Sequence, residues 1–140
     1  MTEKVEVSVA VVIDQEKVLV QTRPEGADYA GFWEFPGGKV EAGEDPARCA
    51  ERECVEELGL EVRVKDLMEE VDWDYPGRRV AVSFYRCVLA DSILPEDLSP
   101  RDGQRAMWVD GQALGQLDFL PANKTLLERL IEELDFPGKG

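Results

Sequence analysis

Glu53, Glu56 and Glu57 stand at offsets of three and four residues in the stretch Gly38–Leu60, which reads GKVEAGEDPARCAERECVEELGL. On a helix those offsets stack the carboxylates along one side. Like charges so placed cost roughly a few tenths of a kcal/mol per pair. The row therefore favours a cation, and a hard divalent ion with oxygen ligands is the natural one. The helix itself is well signalled. Asp45 can accept from the free N–H groups of the first turn, Pro46 suits the first helical position, and Gly59 is a C-terminal stop. Ala47, Ala50, Cys54 and Leu58 form a second, apolar stripe that can face a core. Arg52 lies four residues before Glu56, so it can pair along the helix or hold a carboxylate bidentately. Mg²⁺ or Mn²⁺ on such a row would neutralise phosphates, polarise phosphorus and lower the pKa of a bound water. The reaction class expected of such a site would be attack of water on a phosphoanhydride.

Composition narrows the partners. The chain has 140 residues, a net charge of −14 and no histidine. One domain is expected over residues 1–136, with 137–140 as a frayed tail. The acidic balance argues against a nucleic acid polymer or an anionic membrane as a partner. An anionic substrate would need a local basic patch and a bridging metal. Without histidine, a general base must come from carboxylate, Lys, Tyr or Cys. Cys49, Cys54 and Cys87 are odd in number and lack zinc spacing, which reads as reduced, packed thiols of a cytoplasmic protein. No apolar run is long enough to span a bilayer, no signal peptide opens the chain, and no obligate protein partner is evident.

The elements that must carry the row follow from pattern. Val5–Ile13 is rich in β-branched residues and predicts a strand buried on both faces. A polar turn at Asp14–Glu16 leads to a partner strand at Lys17–Thr22. Arg23-Pro24-Glu25-Gly26 starts a loop, and Arg23 at the strand end is either a surface cation or a phosphate clamp. Phe32, Trp33 and Phe35 read as core aromatics. Pro36, Gly37 and Gly38 read as a tight turn whose backbone can approach a ligand closely. Glu61–Trp73 and Arg79–Ala90 read as two long strands joined at Asp74–Arg78. Ser92–Gly103 is expected as a surface loop, Gln104–Asp110 as a short strand and Gly111–Leu117 as one helical turn. Asn123–Leu134 is an amphipathic helix with Asn123 as a plausible cap. This order predicts a mixed sheet between helical layers.

Eight positions fit Gly-x5-Glu-x7-Arg-Glu-U-x-Glu-Glu-x-Gly-U, where U is bulky and apolar: Gly38, Glu44, Arg52, Glu53, Glu56, Glu57, Gly59 and Leu60. Cys54 takes the first U position, where a free thiol packs as a small hydrophobe. The stretch resembles the Nudix hydrolase signature. The resemblance implies an α/β/α sandwich around a central mixed β-sheet, with Mg²⁺ as cofactor and Mn²⁺ as a substitute. It implies Glu56 and Glu57 as the ligand pair, Glu53 as a further ligand or the water-activating base, and Arg52 as the residue that orients that glutamate. Glu44 would be structural or outer-shell, and Gly37 would lend its carbonyl to a metal. Several Nudix enzymes draw the base from a later loop, which here offers Asp102, with Glu96 and Asp97 as weaker candidates.

Further stretches are similar to the MutT branch: WEFPGGK at Trp33–Lys39, YPGR at Tyr75–Arg78, DGQ before Trp108 and LPAN at Leu120–Asn123. That branch hydrolyses oxidised purine nucleoside triphosphates, typically 8-oxo-dGTP, to monophosphate and pyrophosphate. The related CTP and 5-methyl-dCTP pyrophosphohydrolases are also similar. More distant alternatives are ADP-ribose or nucleotide-sugar hydrolysis and a silent nucleotide-sensing domain. By this resemblance Arg23 and Lys39 would hold phosphates, with the Gly38 backbone close by. Phe35 and Arg78 would line the base pocket. Asn123 would read the base edge, a role that competes with helix capping. Asp102 stands where the bacterial pattern has a glutamate, one methylene longer.

Overall fold

A computed structural model describes residues 3–75, 77–90, 98–101 and 103–135. The expected tail at 137–140 and the candidates Glu96, Asp97 and Asp102 lie outside the described residues. In chain order the strands are β1 (Glu3–Asp14), β2 (Lys17–Thr22), β3 (Trp33–Glu34) and β4 (Gly37–Lys39), followed by α1 (Pro46–Leu58). Then come β5 (Val62–Tyr75), β6 (Arg78–Leu89), β7 (Ala106–Val109), α2 (Gly111–Leu114), a 3₁₀ turn at Pro121–Asn123 and α3 (Lys124–Asp135).

The strands form one seven-stranded mixed sheet. Its main order is β3-β2-β1-β6-β5, with β4 on β1 and β7 on β2. Gln15 and Glu16, at φ 50° and 65°, make the two-residue reversal between β1 and β2; paired positive φ suits the twist of a tight hairpin. β1 runs parallel to β6 from Glu3↔Arg78 to Val12↔Cys87. β5 and β6 are an antiparallel hairpin closed at Tyr75↔Arg78, with register breaks between Val64 and Asp66 and between Leu67 and Glu69.

β1 is covered on both faces, which is why its sequence is nearly continuous in β-branched residues. On one face Ala10, Val12, Leu19 and Cys87 meet Ala50, Cys54 and Leu58 of α1. On the other, Val9, Val11, Val20 and Phe84 meet Leu114 of α2 and Leu126, Leu130 and Leu134 of α3. Burying each such leucine is worth about 1.5–3 kcal/mol. The three layers are those of the expected α/β/α sandwich. No helix among the described residues is long and apolar enough to cross a membrane.

The caps of α1 are as the sequence predicts. Asp45 accepts from Ala47 N–H at 2.9 Å, and Gly59 takes φ 66°, its N–H reaching the carbonyls at the helix end. Two expectations need correction. The stretch Trp33–Lys39 is not loop and turn but two short strands, because its backbone groups find partners on β2 and β1. The last helix begins one residue later than predicted, and Asn123 belongs to the 3₁₀ turn before it, its N–H bonded to Leu120 O at 3.0 Å.

Candidate active site

α1 and β4 bring the glutamates against the glycine strand. Glu57 is buried at 9% exposure. Its Oε2 accepts from Gly37 N–H at 2.9 Å and its Oε1 from the Gln21 amide at 3.0 Å. Glu53 lies against Gly38 so closely that a Cβ there would fall 2.5 Å from its carboxylate. Glu56 is more exposed and accepts from Arg52 at 3.0 Å. The three carboxylates thus run from buried to open along one helix side.

Arg52 is the cation that organises the row. Its Nε and Nη2 hold Glu44 bidentately at 2.7 and 3.0 Å. Its Nη1 donates to Glu53 at 3.1 Å as well as to Glu56, and Nη2 also reaches Lys39 O at 3.3 Å. Its strongest clamp therefore falls on Glu44, and Glu53 receives a single bond. That clamp holds the Glu44 carboxyl down at about 2. The Cys49 thiol, pushed up to about 11 by burial, stays protonated and donates to Lys39 O at 3.4 Å, tying the glycine strand to the helix.

The inner carboxylates titrate high. Burial pushes Glu57 up to about 7, with Glu34 and Glu53 adding to the rise and the Gln21 and Gly37 hydrogen bonds opposing it. Burial also raises Glu53, against the pull of Arg52. A raised carboxyl stabilises the fold fully below its unfolded pKa and loses that contribution as pH climbs through the folded value. The metal-free protein should therefore lose stability between pH 4.5 and about 7, the Glu57 share being about 3 kcal/mol. Melting in chelator across that range, with wild type and Glu57→Gln side by side, checks this. Equal pH slopes for the two proteins would remove Glu57 as the source.

Among the described residues, no three acidic, histidine or cysteine side chains converge at metal-ligand spacing. Glu57 is engaged by Gly37 and Gln21, and Glu56 by Arg52. The donor chemistry nevertheless fits a hard divalent ion. Three carboxylates and the Gly37 carbonyl are all oxygen ligands. Two of the carboxylates are held in part-buried ground where uncompensated negative charge is costly.

Beside the glycine strand, on the opposite sheet face from α1, lies a cavity of about 230 Å³. Arg23, Phe35, Gly37, Gly38, Lys39, Arg78 and Asn123 all line it, so every residue expected to touch substrate is at this one place. Phe35 is 3% exposed and tilts against Phe119 at 4.8 Å between ring centres. Asn123 is 5% exposed. Arg23 is paired with Glu34 at 3.1 Å.

Three residues of the site escape a reading of the sequence. Gln21 and Glu34 join the two halves of the site, and Tyr29 stands at the cavity rim with φ 61° and its ring 5.5 Å from Phe32. One signal was present: Gln21 is a polar residue on the same strand face as Leu19, directly after the apolar run Val18–Val20.

The sequence pattern of the NUDIX domain family matches residues 8–129. An 8-oxo-dGTP diphosphatase of Haemophilus influenzae is 38% identical over 117 residues, covering 84% of this chain and 83% of that protein. A CTP pyrophosphohydrolase of Escherichia coli is 31% identical over 130 residues, covering 91% of each. The solution structure of the E. coli ORF135 protein has a TM-score of 0.77 at 29% identity, over 94% of this chain and 91% of that one.

Proposed function

Because this chain belongs to the NUDIX domain family, we propose that it is a Mg²⁺-dependent pyrophosphohydrolase of oxidised purine nucleoside triphosphates, 8-oxo-dGTP foremost. It is a Nudix hydrolase, an enzyme of phosphoanhydrides; the base and the metal are the proposal. The products are the nucleoside monophosphate and pyrophosphate, and the role is cleaning of the nucleotide pool in the cytoplasm, by a single domain over residues 1–136.

One observation carries this reading. A buried asparagine, a buried phenylalanine and three cations share one cavity, directly across β4 from the glutamate row. The cavity that they share has a volume of about 230 Å³. Asn123 has amide donors and an acceptor to offer a base edge. Lys39 and Arg78, beside the Arg23–Glu34 pair, supply the local positive charge that an acidic protein needs for a triphosphate. Glu53, Glu56, Glu57 and the Gly37 carbonyl would hold Mg²⁺, which supplies charge neutralisation and a more acidic bound water. Glu53 and Asp102 are the candidates for the base. The name of the H. influenzae relative supports the oxidised purine. The E. coli relative, matched over nearly its whole length, supports a second reading in which CTP or a methylated pyrimidine triphosphate is preferred.

The test is kcat/KM at fixed Mg²⁺ for 8-oxo-dGTP, dGTP, 2-hydroxy-dATP, CTP, 5-methyl-dCTP and ADP-ribose, with product analysis. A preference for 8-oxo-dGTP over dGTP of about a hundredfold or more is expected, since a buried polar reader rejects a base that leaves it unpaired. Asn123→Ala should shrink that ratio by about tenfold. Pyrimidine preference would transfer the enzyme to the second reading. Activity on ADP-ribose alone would sink both.

A further inference from the structure

Gln21 is 1% exposed in the middle of the molecule. Its amide nitrogen donates to two different carboxylates, to Glu57 Oε1 at 3.0 Å and to Glu34 Oε2 at 3.2 Å. The nitrogen is the end that faces them, the orientation that two ionised carboxylates require, since these only accept. The other oxygen of each carboxylate is also taken. Glu57 Oε2 accepts from Gly37 N–H at 2.9 Å, and Glu34 Oε1 from Arg23 Nη1 at 3.1 Å. A continuous path of hydrogen bonds thus runs Gly37–Glu57–Gln21–Glu34–Arg23. Gly37, Glu34 and Arg23 all line the cavity, while Glu57 belongs to the α1 face. Packing alone does not call for an amide here. Leu19, two residues earlier on the same strand face, is fully buried among apolar groups of α1. An amide at such a depth is costly unless its bonds are made, and here they are made to the two carboxylates.

We propose that Gln21 is a positioning residue: it sets the orientation of the Glu57 carboxylate for a divalent cation and ties that orientation to the Arg23–Glu34 pair at the nucleotide cavity. The inference rests on the reading of Glu57 as a metal ligand. Groups that orient a ligand from behind typically change metal affinity by about 10- to 100-fold when removed. Loss of the amide frees Glu57 to rotate and leaves two buried carboxylates without the donor between them.

Nucleotide-free Mn²⁺ binding, followed by the electron paramagnetic resonance of free Mn²⁺, tests this apart from any substrate. Gln21→Met keeps side-chain length and removes both donors; Gln21→Leu is the second variant if the first melts early. Weakening of Mn²⁺ binding by about tenfold or more, in a variant that melts as wild type does, is the expected result. Adding Glu34→Gln to Gln21→Met should weaken binding little further, because the path is already cut. A residue that only supports the fold would lower the melting temperature and leave the Mn²⁺ affinity unchanged. Mn²⁺ binding within about twofold of wild type in both variants overturns the proposal, as does wild-type protein that binds no Mn²⁺. Wild-type protein that binds Mn²⁺ yet spares 8-oxo-dGTP sinks the substrate reading and leaves this one standing.

Discussion

Glu57→Gln is expected to lower kcat/KM at saturating Mg²⁺ by about a thousandfold or more, equivalent to about 4 kcal/mol of transition-state stabilisation, while melting no earlier than wild type in chelator at pH 8. The two halves of this result have separate causes. The amide keeps the volume of the carboxylate, and its oxygen can still accept from Gly37 N–H, the bond that wild type makes at 2.9 Å. Its NH₂ group would face the Gln21 amide, which must then turn its oxygen inward and give up the bond to Glu34. That exchange costs about 1 kcal/mol. Against it, the variant removes a charge that burial already opposes, since Glu57 is pushed up to about 7. At pH 8 that gain should match or exceed the lost bond. Catalysis has no such compensation, because a neutral amide is a weak ligand for a hard divalent ion. Wild-type kcat in this variant at saturating Mg²⁺ would show that Glu57 holds no catalytic metal.

How far the sequence reaches depends on the range of the interactions involved. The caps of α1 were legible because Asp45, Pro46 and Gly59 act within a few residues of themselves. The two helix stripes were legible for the same reason, and the apolar one is where Ala50, Cys54 and Leu58 pack. β3 and β4 were not legible, since strands of two and three residues have no periodicity to read. They exist because β1 and β2 offer free edges to pair with, and Ala10 N–H also reaches Pro36 O at 2.8 Å. Burial is likewise invisible in spacing. The offsets place Glu53, Glu56 and Glu57 on one helix side, yet they do not show that Glu57 turns inward while Glu56 stays half open. Gln21 and Glu34 are farther still from view, because each gains its partners only when β2, β3 and α1 have assembled. The motif resemblance supplied the residues around the cavity; periodicity by itself would have left Phe35 as a core aromatic and Asn123 as a cap.

The neighbouring glycines of β4 should give opposite phenotypes when each is replaced by alanine. Neither stands in the left-handed backbone region, so the requirement is for space. At Gly37 an added Cβ would fall 2.5 Å from Ser8 O and 2.9 Å from Val9 Cα. Those are backbone atoms of β1, which is also held along its length by β6. β1 cannot yield without disturbing the sheet, so Gly37→Ala should cost about 1–3 kcal/mol of stability, as overpacking does. At Gly38 the added Cβ would meet the Glu53 carboxylate at 2.5 Å. That obstacle is the free end of a flexible side chain, which can swing away without moving α1. Gly38→Ala should therefore melt close to wild type and lose about a hundredfold in kcat/KM, the scale of loss for a reacting group misplaced by about an ångström. Thermal melts and kinetics on the two variants separate these outcomes. A Gly38→Ala protein with wild-type turnover would mean that Glu53 is not needed where it stands, and the base would then have to be sought at Asp102. A Gly37→Ala protein as stable as wild type would mean that β4 is free to lift from β1, which would also loosen the hold of Gly37 on Glu57.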